Sequence, residues 1–186
     1  SVTLAKNAGF CFGVSRAVET VEKEATAGKK VVTLGPIIHN RHVVGKFETL
    51  GVGVINTPEE APAGATVIIR SHGVAREVYE RLERQGVEVV DATCPYVKKI
   101  HSIVRKQSEQ GKSIIILGDP KHPEVQGIRG WCLGEPLIYR NEEEILENSF
   151  VIYALSIHIH QIGNVIWRKP FNQFINLCLI KELFGD

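Results

Sequence analysis

Residues 11–35 read CFGVSRAVETVEKEATAGKKVVTLG, and residues 94–118 read CPYVKKIHSIVRKQSEQGKSIIILG. Laid over one another without a gap, the two stretches agree at the positions that shape a chain. Cys94 falls on Cys11, Val97 on Val14, Val104 on Val21, Gly111-Lys112 on Gly28-Lys29 and Leu117-Gly118 on Leu34-Gly35. The same phase carries His122 onto His39, Leu133-Gly134 onto Leu50-Gly51, Ile138 onto Ile55 and Glu142-Glu143 onto Glu59-Glu60. The chain reads as an internal duplication whose unit runs cysteine, helix, strand, loop histidine, helix, strand.

The segment types follow from periodicity. KVVTLG, TVIIRS, VEVVDA and SIIILG are short β-branched runs suited to strands buried on both faces. Between them, the stretches from Val14, Val74 and Tyr96 repeat apolar residues at helical spacing, with Gly28, Gly86 and Gly111 as C-terminal stops. Strands alternating with helices predict an α/β fold of repeated parallel-sheet units with flanking helices. Residues 1–94 are expected to form the first unit and 95–153 a partial second unit. Residues 154–186 read as a divergent tail, with no amphipathic helix where the first copy has one, and a reading-frame change in the gene is a hypothesis for it.

Composition narrows the functional classes. Twenty-two Lys and Arg against 21 Asp and Glu give a formal charge of +1, so no global field recruits nucleic acid or an anionic membrane. The N-terminal residues lack the basic and apolar regions of a signal peptide, no run is long enough to span a bilayer, and a cytoplasmic protein is expected. Four cysteines occur without a close pair, which in a reducing compartment argues for core, metal or cluster roles over disulfides.

Cys11 and Cys94 stand immediately before expected helices, where the N-terminal dipole favours a thiolate. His39, His72 and His122 each follow a strand, at the carboxyl edge where open α/β sheets bind ligands, and Glu124 lies two residues after His122. Taken singly, Cys11 between Phe10 and Phe12 reads as core filler and each histidine as structural. The repeat turns them into one constellation. Cys132 is expected in the core, Cys178 is a weak ligand candidate one residue from a third step of the period, and Glu142–Glu144 reads as a solvated helix start. Two helix-start thiolates beside glycines suit a bulky cluster better than a zinc knuckle, and histidines at one edge suit a phosphate or diphosphate. A carboxyl at Glu124 suits proton donation. Two alternatives stay open: a non-catalytic diphosphate-binding fragment, and a zinc module using Cys11, Cys94 and histidines.

The motifs AGFCFGVSRAVE, GPIIHNRHVV, VIIRSHGV, DATCPYVKKIH and GDPKHPEVQGIRGW resemble those of 4-hydroxy-3-methylbut-2-enyl diphosphate reductases, over about residues 3–153. The resemblance implies an iron-sulfur oxidoreductase of the non-mevalonate isoprenoid pathway, with three pseudo-symmetric lobes around a 4Fe-4S cluster. It implies Cys11 and Cys94 as two cluster ligands, His39, His72 and His122 as substrate-diphosphate ligands, and Glu124 as catalytic, within the proton-delivery network. It further implies reductive dehydroxylation to isopentenyl and dimethylallyl diphosphates, with electrons from a donor such as ferredoxin or flavodoxin. Residues 1–10 correspond to a strand that in the family joins the third lobe. The second lobe reads as incomplete and the third as absent, so the chain by itself is expected to lack full reductase activity.

Overall fold

The structure is a computed structural model and describes residues 2–3, 9–38 and 40–148. The expected pairing of residues 1–10, residues 149–153 at the end of the second unit, the 154–186 tail, His39 and Cys178 therefore lie wholly or largely outside the described residues.

The first unit opens with α1 (Phe12–Thr26), whose apolar residues Val14, Ala17, Val18, Val21 and Ala25 recur at helical spacing and pack inward. It continues through β1 (Val31–Leu34), α2 (Arg41–Thr49), β2 (Gly53–Ile55), a 3-10 turn at Pro58–Glu60, β3 (Thr66–Ile69), α3 (Arg76–Arg84) and β4 (Glu88–Asp91). All pairings in its sheet are parallel, in the order β2-β1-β3-β4. Every residue of the central strands β1 and β3 is buried, as a sheet covered on both faces requires. One face packs Ile68 against α1 and α2 through Ala17, Val21, Ile37 and Phe47. The other packs Val67 and Ile69 against Leu82 of α3. β4 departs from the expectation of full burial, because as an edge strand it leaves Glu88 exposed.

The second unit comprises α4 (Pro95–Glu109), β5 (Ile115–Leu117), α5 (Pro123–Arg129), β6 (Leu137–Tyr139) and α6 (Glu142–Glu147), with β5 and β6 parallel. α1 and α4 correspond residue for residue, and both have a cysteine as N-cap with no side-chain capping bond. Pro95 occupies the first turn of α4, where its missing N–H costs nothing. Gly28, Gly86 and Gly111 end their helices at φ +75, +65 and +76, the left-handed conformation a C-terminal stop needs. The acidic run at Glu142–Glu144 is the first turn of α6, with Glu142 and Glu143 exposed and Glu144 half-buried.

The gapless superposition fails after Gly134. Gly35 N donates to Ile55 O at 2.7 Å, and the equivalent Gly118 N donates to Tyr139 O at 2.8 Å, so Tyr139 and not Ile138 stands over Ile55. Asn56 N donates to the Glu60 carboxylate at 3.1 Å, and Arg140 N to the Glu144 carboxylate at 2.8 Å. Glu144 thus matches Glu60, and the pairing of Glu142-Glu143 with Glu59-Glu60 is corrected by one residue. The extra residue lies between Gly134 (φ +89) and β6, beyond the positive-φ turn shared with Gly51 (φ +79). A turn absorbs an insertion without disturbing either register.

Among the described residues, β5 has no strand on the side where β1 meets β3. In the first unit Ile68 of β3 fills the space between α1, α2 and β1. The equivalent space is a cleft of about 370 Å³ lined by Ile100, Val104, Ile116, Val125 and Ile128, with His122 and Glu124 also on its wall. The counterpart of β3 in the second unit, over 149–153, lies outside the described residues.

Candidate functional site

Backbone hydrogen bonds at the carboxyl ends of the strands assemble the site. Ser71 Oγ donates to Ile37 O at 3.2 Å, joining the exits of β1 and β3, and Cys94 N donates to Ser71 O at 2.9 Å, joining the exits of β3 and β4. Arg16 Nη1 on the first turns of α1 donates to Thr93 O at 3.1 Å. The N-terminus of α1 is thereby tied to the segment that presents Cys94.

Cys94 comes to rest against Gly13. A Cβ on that residue would lie 2.6 Å from Cys94 Sγ, so only glycine there lets the thiol rest on the start of α1, two residues from Cys11. Cys11 is exposed and Cys94 half-buried. Exposed Phe10, Phe12 and Tyr96 flank the pair. Cys132 is different: its Sγ donates to Ile128 O at 3.6 Å, it packs on the second-unit core, and burial pushes its thiol pKa up, as a core role predicts.

His72 and His122 also converge, their rings edge to face with centroids 5.9 Å apart. His122 caps α5, and its Nδ1 accepts from Glu124 N at 3.3 Å. That bond places the proton of the neutral ring on Nε2. Glu124 sits in the first turn of the same helix. Four of the expected site residues in two pairs, with Glu124 attached to one, therefore share the edge that links Ser71, Cys94 and α5. Arg70, at the exit of β3, makes no ion pair among the described residues, and burial lowers the pKa of its guanidinium. Its cation adds positive potential at this edge without a basic surface.

Beneath the histidines lies a layer the motifs did not single out. His101 belongs to the buried stripe of α4 with Val97, Val104 and Ser108, and stacks on Trp131 with centroids 5.3 Å apart and planes 15° from parallel. Trp131 Nε1 donates to Val74 O at 2.9 Å, and Tyr79 meets the Trp131 ring edge on at 6.0 Å. Burial pushes the Tyr79 hydroxyl up to about 12, and it lies 3.4 Å from Thr93 Oγ1. Burial also raises Asp91, but the Lys98 ammonium and the Thr93 donors outweigh it and hold Asp91 below the usual carboxylate range. The available sequence signal was a histidine on the apolar face of α4, one turn after Val97 and one before Val104.

A family model described as LytB protein matches residues 2–162. The chain belongs to the LytB family. A relative from Thermoanaerobacter sp. (strain X514), named 4-hydroxy-3-methylbut-2-enyl diphosphate reductase, is 47% identical over 150 residues, covering 78% of this chain and 52% of its own length. One of the same name from Clostridium perfringens (strain 13 / Type A) is 48% identical over 178 residues, covering 94% of this LytB chain and 62% of its own. The similarity therefore runs past residue 153, where the motifs placed its end, and into the 154–186 stretch. Solved structures agree. The reductase described as the terminal enzyme of the non-mevalonate pathway matches with TM-score 0.68 at 43% identity, over 78% of this chain and 53% of its own. The Plasmodium falciparum reductase matches with TM-score 0.73 at 31% identity, over 76% and 45%. The LytB chain spans about half the length of most of these relatives.

Among the described residues, no three His, Cys, Asp or Glu side chains come together to hold a metal ion. A 4Fe-4S cluster needs thiolates at most of its corners. Cys94, resting against Gly13, and Cys11, two residues before that glycine, fit two of those corners. No helix among the described residues is long and apolar enough to cross a membrane.

Proposed function

We propose that this chain carries the two-lobe portion of a 4-hydroxy-3-methylbut-2-enyl diphosphate reductase that holds two cluster thiolates and the histidine side of the diphosphate site. The observation that carries the reading is the juxtaposition of Cys94 Sγ with the start of α1 beside Cys11, at the same sheet edge as the His72–His122 pair. The cluster, when bound, supplies the reducing electrons and a Lewis-acidic iron for loss of the allylic hydroxyl.

The chain's own residues supply binding and protons. His122, with Nδ1 occupied by Glu124 N, offers Nε2–H to a phosphate oxygen, and His72 beside it offers a second ring. His39 is assigned to the same diphosphate on its motif, Glu124 delivers a proton at the reacting carbon or oxygen, and a ferredoxin- or flavodoxin-type donor in the cytoplasm provides electrons. Cys178 is a weak further candidate thiolate.

Anaerobic reconstitution with iron, sulfide and zinc counting, in parallel with inorganic diphosphate titration, tests this. Iron and sulfide uptake that falls in Cys11→Ser and Cys94→Ser, with diphosphate binding that falls in His72→Ala and His122→Ala, is the expected result. Stoichiometric zinc in place of iron would replace it with the zinc-module reading. Diphosphate binding with no iron uptake would favour the non-catalytic fragment. The 186-residue chain assayed alone is expected to bind without full turnover.

A further inference from the structure

We infer that His101 is a positioning residue that sets the spacing between the His72 loop and α5, and so holds the His72 and His122 rings on a common anion. The inference rests on the diphosphate reading above. It starts from a contact that glycine alone permits. Gly73, next to His72, has φ +70, and a Cβ there would lie 2.7 Å from His101 Cε1 and 3.0 Å from Thr93 Cγ2. The loop therefore sits directly on the imidazole.

The same ring supports the second histidine's helix. A Cβ on Gly127 of α5 would lie 3.5 Å from His101 Nε2 and 3.6 Å from the carbonyl oxygen of His72. Trp131, which follows α5, stacks on the His101 ring and donates Nε1–H to Val74 O. Arg76 N donates to Gly130 O at 3.4 Å, closing the loop against the end of α5. His101 is 3% exposed, and its Nε2 has no hydrogen-bond partner among the described residues. A ring whose Nε2 is buried without a bond to repay it is held here for shape and spacing.

Close packing transmits a void at this position to both neighbours, because neither glycine-bearing segment has side-chain atoms of its own to fill it. His101→Ala is expected to weaken inorganic diphosphate binding by about tenfold or more, the loss of one well-placed donor. It should also shift the ring resonances of His72 and His122. His101→Gln, of similar volume, should stay within about threefold of wild type. Val21→Ala, a buried truncation on α1, should lose stability yet keep affinity and both ring resonances. His101→Asn is the milder truncation to use if the alanine variant does not fold. A folded His101→Ala or His101→Asn with unchanged affinity and unshifted His72 and His122 resonances overturns the inference. Failure of wild type to bind diphosphate would sink the functional reading, while the ring resonances would still decide the role of His101.

Discussion

Acidifying the protein from about pH 7 to about pH 5 should cost it about 2 kcal/mol through His101 alone. Burial pushes this imidazole from its ordinary 6.5 down to about 4, with the Asp91 carboxylate opposing the shift and the Lys98 ammonium reinforcing it. Well above pH 6.5 the ring is neutral in both folded and unfolded chains and protonation contributes little. Below that, the unfolded chain takes up a proton the folded chain refuses. Stability then falls by up to about 1.4 kcal/mol per pH unit until the folded ring titrates near 4. At 3% exposure the site has little solvent to screen the effect. Urea unfolding followed by far-UV circular dichroism measures it, with His101→Gln as the comparison because glutamine fills the space and does not titrate. Wild type should lose about 2 kcal/mol more than the variant across this interval. Parallel losses in the two proteins would refute the reasoning, as would an NMR titration placing the folded His101 near 6.5.

Three further outcomes follow from particular contacts. Gly13→Ala places a Cβ 2.6 Å from Cys94 Sγ, so alkylation of Cys94 should speed up and iron uptake should fall, read by mass spectrometry and metal counting. Gly130→Ala drives a methyl into Ala75 at the seam between α5 and the loop before α3, and thermal unfolding should show a loss of roughly 1–3 kcal/mol. Asn40→Ala removes the cap that accepts from His42 N and Val43 N at the start of α2, which should cost about 1 kcal/mol by the same measurement, with Asn40→Ser recovering most of it.

Much of the fold was legible because the duplication repeats local instructions. Cysteine before each long helix, glycine after it and a β-branched run beyond specify a helix end and a strand wherever the segment sits. The gapless register was misread after Gly134 because Ile138 and Tyr139 are both acceptable strand residues, and only the bond from Gly118 N to Tyr139 O distinguishes them. His101 escaped notice for a related reason. Its helical phase marks it as buried, but the glycines that make it a support, Gly73 and Gly127, are remote in the chain.

The amino-acid order by itself determined the repeated α/β units, the placing of Cys11 and Cys94 as helix caps, and the carboxyl-edge position of His72 and His122, since each depends on near neighbours. Tertiary structure decided which of these side chains meet. Cys94 reaches the start of α1 because Arg16 binds Thr93 and Gly13 leaves room, and His72 meets His122 over a floor made by His101 and Trp131. Those encounters join segments remote in the chain, and packing in three dimensions, not sequence spacing, sets their distances.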